Sequence, residues 1–167
     1  MQYRIRSEKV EQQMFTDSIL ALIPSFPRSA AARLVNASGL RRYVPGSMMI
    51  KEGDPSGGIF VLMAGIVQRR MGTSKFPSRK WINLPPMSAP AVLGIGSCLL
   101  GEPSTLSISA FTPTEAIFIP QAPFLNVLRE FPQAGLALSQ SLADELAHTY
   151  SHLSQLHSRP SSRYELC

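Results

Sequence analysis

Basic side chains vanish over a long stretch of this chain: no Lys, Arg or His occurs between Lys80 and Arg129. Other shortages narrow the reading further. The chain has two cysteines, Cys98 and Cys167. Two isolated thiols cannot build an iron–sulfur or zinc centre, and with Cys167 at the last position no disulfide is expected. All three histidines, His148, His152 and His157, fall near the C-terminus, far from the many serines that one of them would have to activate. Glu102 and Glu115 make no evident general acid–base pair. No enzyme is expected. Charged residues make up 16% of the chain, yet no apolar run reaches the roughly 18 residues of a membrane span. The first residues, MQYRIRSEKVEQQM, lack the apolar centre of a secretory signal. A cytoplasmic protein without membrane association is expected.

What is present is a formal net charge of +5. Such an excess suits nucleic acid, but the basic pairs Arg41–Arg42, Arg69–Arg70 and Arg79–Lys80 read as solvated turns, with no basic recognition helix beside them. His148 and His152 share a helical face, with Glu145 one turn earlier. That trio could hold zinc or nickel; the preferred reading is a polar helix flank and no metal site.

Periodicity divides the chain into three. From Ser7 to about Val35, Val10, Met14, Ile19, Leu22 and Ile23 recur at near-helical spacing. Pro24 and Pro27 split the run into two helices, with Ser29 as a possible cap for the second. From Gly39 to about Ile119 short apolar runs alternate with turn residues. Candidate strands are Met48–Ile50, Ile59–Met63, Ile66–Gln68, Trp81–Leu84, Ala91–Leu93, Thr105–Ala110 and Glu115–Ile119, a pattern that suits a sandwich or roll. Residues 70–80 read as a mobile hairpin loop, and Pro85–Pro86 with Pro90 as an irregular segment. After Pro120 a short helix ends near Phe131 and a long one runs from Pro132 to His157, proline being well tolerated in a first turn. On it Leu142, Leu146, Thr149, Leu153 and Leu156 form a heptad-like seam that suits a homodimer. The tail 158–167 is expected to be disordered.

The stretch YVPGSMMIKEGDPSGGIFVLMAGIV, from Tyr43 to Val67, frames its strands with Gly46, Gly53 and Gly65. With the strands and helices that follow, it resembles a cyclic-nucleotide-binding domain of the catabolite-activator (Crp/Fnr) superfamily. The resemblance implies a mainly β fold: a jelly-roll-like β-roll (double-stranded β-helix) with N-terminal helices and a long C-terminal helix. It divides the chain into a polar helix or arm at 1–14, the domain at 15–157, and the tail. No room is left for the helix-turn-helix domain of the family's transcription regulators, so DNA binding is not expected unless the chain is a fragment; the alternative reading is a cyclic-nucleotide-responsive transcription regulator of this family or a fragment of one.

The resemblance also implies a phosphate-binding cassette inside the roll. A glycine–glutamate pair opens it, the glutamate holding the ribose, and a proline–arginine pair closes it, the arginine neutralising the phosphate. Here the cassette spans about 92–110, VLGIGSCLLGEPSTLSISA. Gly94 fits the opening glycine, but Ile95 replaces the glutamate. Pro103 fits the closing proline, but Ser104 replaces the arginine. The candidate pocket is Gly94, Ile95, Gly96, Ser104 and Thr105, with Thr149 matching the position where the catabolite activator presents a hydroxyl to the purine. A buried phosphate wants a cation, and the roll is expected to contain none, unless Arg69, Arg70 or a partner subunit reaches in. The pocket is expected to be filled by Ile95, Leu99 and Leu100. No cofactor is expected, cyclic AMP and cyclic GMP included. The absence of histidine from the roll also argues against a cupin-type metalloenzyme. The expectation is a regulatory domain that acts through protein contacts or a less charged, more apolar ligand.

Overall fold

A computed structural model of the chain describes residues 2–72 and 80–157; the side chains of residues 2–9, 11, 145, 148, 149 and 152–157 lie outside that description. Five helices, α1 (Gln2–Leu22), α2 (Arg28–Asn36), α3 (Ile95–Leu100), α4 (Gln121–Glu130) and α5 (Pro132–His157), flank eight strands. The strands are β1 (Gly39–Tyr43), β2 (Met48–Ile50), β3 (Gly58–Ala64), β4 (Ile66–Gly72), β5 (Trp81–Ser88), β6 (Ala91–Leu93), β7 (Ser107–Ala110) and β8 (Thr114–Pro120). They form two four-stranded antiparallel sheets, ordered β1-β8-β3-β6 and β2-β7-β4-β5. This is the expected mainly β roll with flanking helices.

The continuous apolar run of β3 follows from its place between two cores. Side chains alternate along a strand. Ile59 and Val61, with Ile117 and Ile119 of β8, face a core shared with the helices. Phe60 and Leu62, with Ala116 of β8, face the roll interior with Val67 and Ile108 of the opposite sheet. A strand buried on both faces needs no polar alternation.

Pro24 and Pro27 do separate two helices, but the details differ from expectation. Phe15, Ile19, Ile23 and Phe26 are buried, whereas Val10 and Met14 are exposed. α1 continues through the expected boundary at 14/15. The residue capping α2 is Pro27, with no side-chain cap, and Ser29 lies inside the first turn. α4 ends against Phe131 and α5 starts at Pro132, as the prolines imply.

Three segments read as turns or irregular chain are strands. Arg41 and Arg42 belong to β1, which pairs with β8; Arg69 and Arg70 belong to β4. Pro85 and Pro86 lie within β5, at the edge of the second sheet. An edge tolerates proline because its outer N–H groups need no partner. Between Arg69↔Leu84 and Val67↔Met87 a single residue of β4, Gln68, faces both prolines, so β5 bulges there. The carbonyls that the bulge frees are taken by side chains. Gln68 Nε2 donates to Leu84 O (2.9 Å), and Arg69 Nε and Nη2 donate to Pro85 O (3.1 and 2.9 Å). The proposed hairpin loop has its flanks in place, since Gly72 pairs with Trp81. Its tip (73–79) and the tail (158–167) are outside the described residues. Among the described residues no helix is long and apolar enough to cross a membrane.

Candidate functional site

The cassette region keeps its backbone shape. Gly94, at φ +83°, leads into α3, and Gly101, at φ +69°, closes it. A Cβ on Gly94 would stand 3.2 Å from Gly58 O and 3.3 Å from Ile50 Cδ1, so the close approach of α3 to β3 requires glycine there. Pro103–Ser104 is stitched to the Glu52–Gly53–Asp54 turn: Gly53 N donates to Ser104 O (2.8 Å) and Ser104 N to Asp54 O (3.0 Å). Glu52 braces the same corner, its Oε2 accepting from Gly72 N (2.9 Å) and its N–H donating to Ser107 Oγ (3.1 Å).

The positions expected to grip a ligand are committed elsewhere. Ile95 packs against the helix-side core. The Ser104 hydroxyl donates to Leu106 O at 2.8 Å. Gly96 and Thr105 are exposed and do not line the roll cavity. Leu99 and Leu100 do not fill it either: both are exposed, because the one buried residue of this short helix is Cys98. Burial pushes the Cys98 thiol up, while the Ser56 hydroxyl beside it lowers it. Ser56 Oγ itself makes no hydrogen bond of ordinary geometry among the described residues.

Between the two sheets, next to Gly94 and Ser104, lies a cavity of about 200 Å³. Phe60 and Phe118 contribute to its wall, their ring centroids 4.9 Å apart. Tyr43 meets Phe60 edge-on at 6.3 Å. The cassette itself holds no cation, but two exposed cations border the cavity. Arg41 and Lys51 both line the cavity. The Arg41 guanidinium lies 3.8 Å from the centroid of Phe118 and 5.8 Å from that of Phe60. Strand alternation puts Arg41 on the face of β1 that borders the cavity, where its side chain stays exposed, and its neighbour on the other face. Arg42 faces out, its Nε 2.7 Å from Glu115 Oε1 of β8. A polar residue at such a strand position carries no hydropathy signal, so Arg41 could be found only by recognising β1 and its pairing with β8. Arg69 and Arg70 do not play this part: Arg69 holds Pro85 O, and Arg70 lies over Trp81 at 5.8 Å.

The Thr149 side chain, with those of Glu145, His148, His152, Leu153 and Leu156, lies outside the description. Among the described residues no group of three or more metal-ligating side chains occurs. On α5, Leu142 packs against the helix-side core of its own chain, while Leu146 and Tyr150 are exposed.

The family model for the cyclic nucleotide-binding domain matches residues 40–131, more than half of the chain. The chain belongs to the cyclic nucleotide-binding domain family. No curated protein matches it. Solved structures of this family's fold resemble it throughout. A cyclic nucleotide-binding domain from Methylobacillus flagellatus superposes with a TM-score of 0.70 at 19% identity, over 92% of this chain and 87% of that one. The sensor domain of the transcriptional regulator DNR from Pseudomonas aeruginosa gives 0.68 at 16% identity, over 94% and 98%. The catabolite activator protein of Thermus thermophilus gives 0.67 at 18% identity, over 81% of this chain and 62% of that one. The chain thus spans less than two thirds of the whole activator and nearly all of the sensor domain. At such identities the likeness is one of fold, the one expected from the glycine-framed strands.

Proposed function

We propose that this cyclic nucleotide-binding domain is a non-catalytic regulatory module that does not hold a cyclic nucleotide. One observation carries this reading. The two cassette positions from which the resemblance would have the sugar and phosphate held are occupied by Ile95, packed into the core, and Ser104, whose hydroxyl is bonded internally. A charge-assisted contact to a ligand is worth about 1.5–3 kcal/mol, and both such contacts are missing from the cassette. The cavity volume of about 200 Å³ also falls below the roughly 300–1,000 Å³ of sites that enclose drug-sized ligands.

Cyclic AMP and cyclic GMP at about 1 mM are expected to leave the melting temperature unchanged. A ligand present at about 100 times its Kd would add about 2.7 kcal/mol and raise the melting point by several degrees. Such a rise in differential scanning fluorimetry would overturn the reading.

The module acts, on this proposal, as a homodimer along α5. The exposed Leu146 and Tyr150 offer an apolar face beyond the point where Leu142 docks on its own core. Sedimentation equilibrium should give a dimer that Leu146→Glu converts to monomer, since a charge in an apolar seam must be desolvated without a partner. A monomeric wild-type chain at about 50 µM, roughly −6 kcal/mol by the affinity scale, would remove the dimer from the proposal.

A further inference from the structure

We propose that the roll cavity binds a small organic anion, with Arg41 as its anchor, Lys51 as a second cation, and the Phe60–Phe118 wall against the apolar body of the ligand. The inference deepens the regulatory reading, on which it rests, by naming the class of effector.

The geometry of Arg41 carries it. A guanidinium stacked on an aromatic ring is attracted to the ring face. At 3.8 Å from the Phe118 centroid the group, though exposed, lies over a ring of the cavity wall. A guanidinium held over a ring by its charge can still grip a carboxylate or phosphate as a fork through its N–H groups. Among the described residues Arg41 makes contact with rings alone; no carboxylate reaches it. Lys51 follows directly on β2 and, itself exposed, lines the same space.

The charged residues of the lining set the ligand's charge. Arg41 and Lys51 oppose one carboxylate, Asp54, giving a balance of +1 (two cations less one anion). A single anionic group therefore fits better than a dianion. Ser97 lines the cavity with its hydroxyl donating to Gly94 O at 3.4 Å, and Met49, Ile50 and the two phenylalanines supply apolar wall. About 200 Å³ admits a body of about one ring, not a nucleotide. The cation comes from the first strand of the roll rather than from the cassette, so this anchor does not depend on Ile95 or Ser104.

The test is an amide-resonance titration of the full chain with benzoate, benzamide and cyclic AMP in parallel. Benzoate at millimolar concentration should shift the amides of Arg41, Gly57, Gly58 and Gly94, and benzamide, equal in shape but neutral, should not. Arg41→Gln should weaken benzoate by about tenfold or more, as expected for losing a charge-assisted fork. Arg41→Lys keeps the charge without the fork and should retain part of the affinity; it also serves should Arg41→Gln fail to fold. No localised shift with benzoate up to about 20 mM, roughly −2 kcal/mol, would overturn the proposal. So would equal shifts with benzamide, or unchanged benzoate binding in a folded Arg41→Gln. Localised shifts with cyclic AMP would overturn the earlier reading instead.

Discussion

Gly58→Ala should lower the stability of the domain by about 4 kcal/mol, combining backbone strain of about 1–3 kcal/mol with overpacking of about 1–3 kcal/mol. Gly58 opens β3 at φ +150°, a conformation that L side chains rarely adopt. An added Cβ would fall 2.1 Å from Ile119 O and 2.9 Å from Pro120 Cα. Both obstacles are backbone, so no rotamer change relieves them. Gly58 pairs with Pro120 at the seam where β8 passes into α4, and pushing these strands apart would open both cores at once. Equilibrium urea unfolding measures the loss, and a melting point lower by roughly 10 °C should accompany it. Gly96→Ala is the companion measurement. Gly96 lies in α3 with no atom within 4 Å of a built Cβ, and alanine there should gain about 0.5–1 kcal/mol from lower backbone entropy in the unfolded chain. If both substitutions cost the same, the close approach at Gly58 is wrong.

Phe15→Ala should cost about 3–5 kcal/mol, the range for truncating a buried aromatic. Phe15 is 1% exposed and belongs to the core that joins α1 to the outer face of β3 and β8. Ile19 follows it on the same helix and Ile23 lies one residue past its end, its N–H still donating to Ile19 O, so the three fall at successive four-residue steps in the same core. Among the described residues of α1, Leu20 and Leu22 also pack against this core, whereas Val10 and Met14 point to solvent. The cavity left by the ring therefore lies where the helix is fastened. Calorimetry or urea unfolding reads the loss. Val10→Ala, on the exposed face, should stay within about 0.5 kcal/mol of the parent. A Phe15→Ala protein as stable as Val10→Ala would show that α1 does not dock on the sheet.

Much of this architecture can be read from the chain because glycine and proline punctuate it. The expected bounds of β2, β6 and α5 coincide with the observed ones, each being an apolar or periodic run closed by a breaker. β1 escaped because four of its five residues are exposed and two are arginines. Its strand character comes from the pairing with β8, a partner distant in the chain. β5 was cut short at Leu84 because two prolines argue against a strand unless it lies at an edge, and edge position is a property of topology rather than of local sequence. The cassette glycine and its replaced neighbours were legible from the resemblance. The cavity was not. Arg41, Phe60 and Phe118 come from three strands and Lys51 from the residue after β2, and the scarcity of cations between Lys80 and Arg129 describes one segment of the roll rather than its whole wall.

The prolines of β5 reach beyond their own strand. With no N–H at 85 or 86 and a kinked path between them, this border of the sheet presents no unbroken ladder to a foreign strand, the template on which fibrils grow. The opposite border, β2, is three residues long and offers little more. Growth of this sheet from molecule to molecule is thereby discouraged at both its margins.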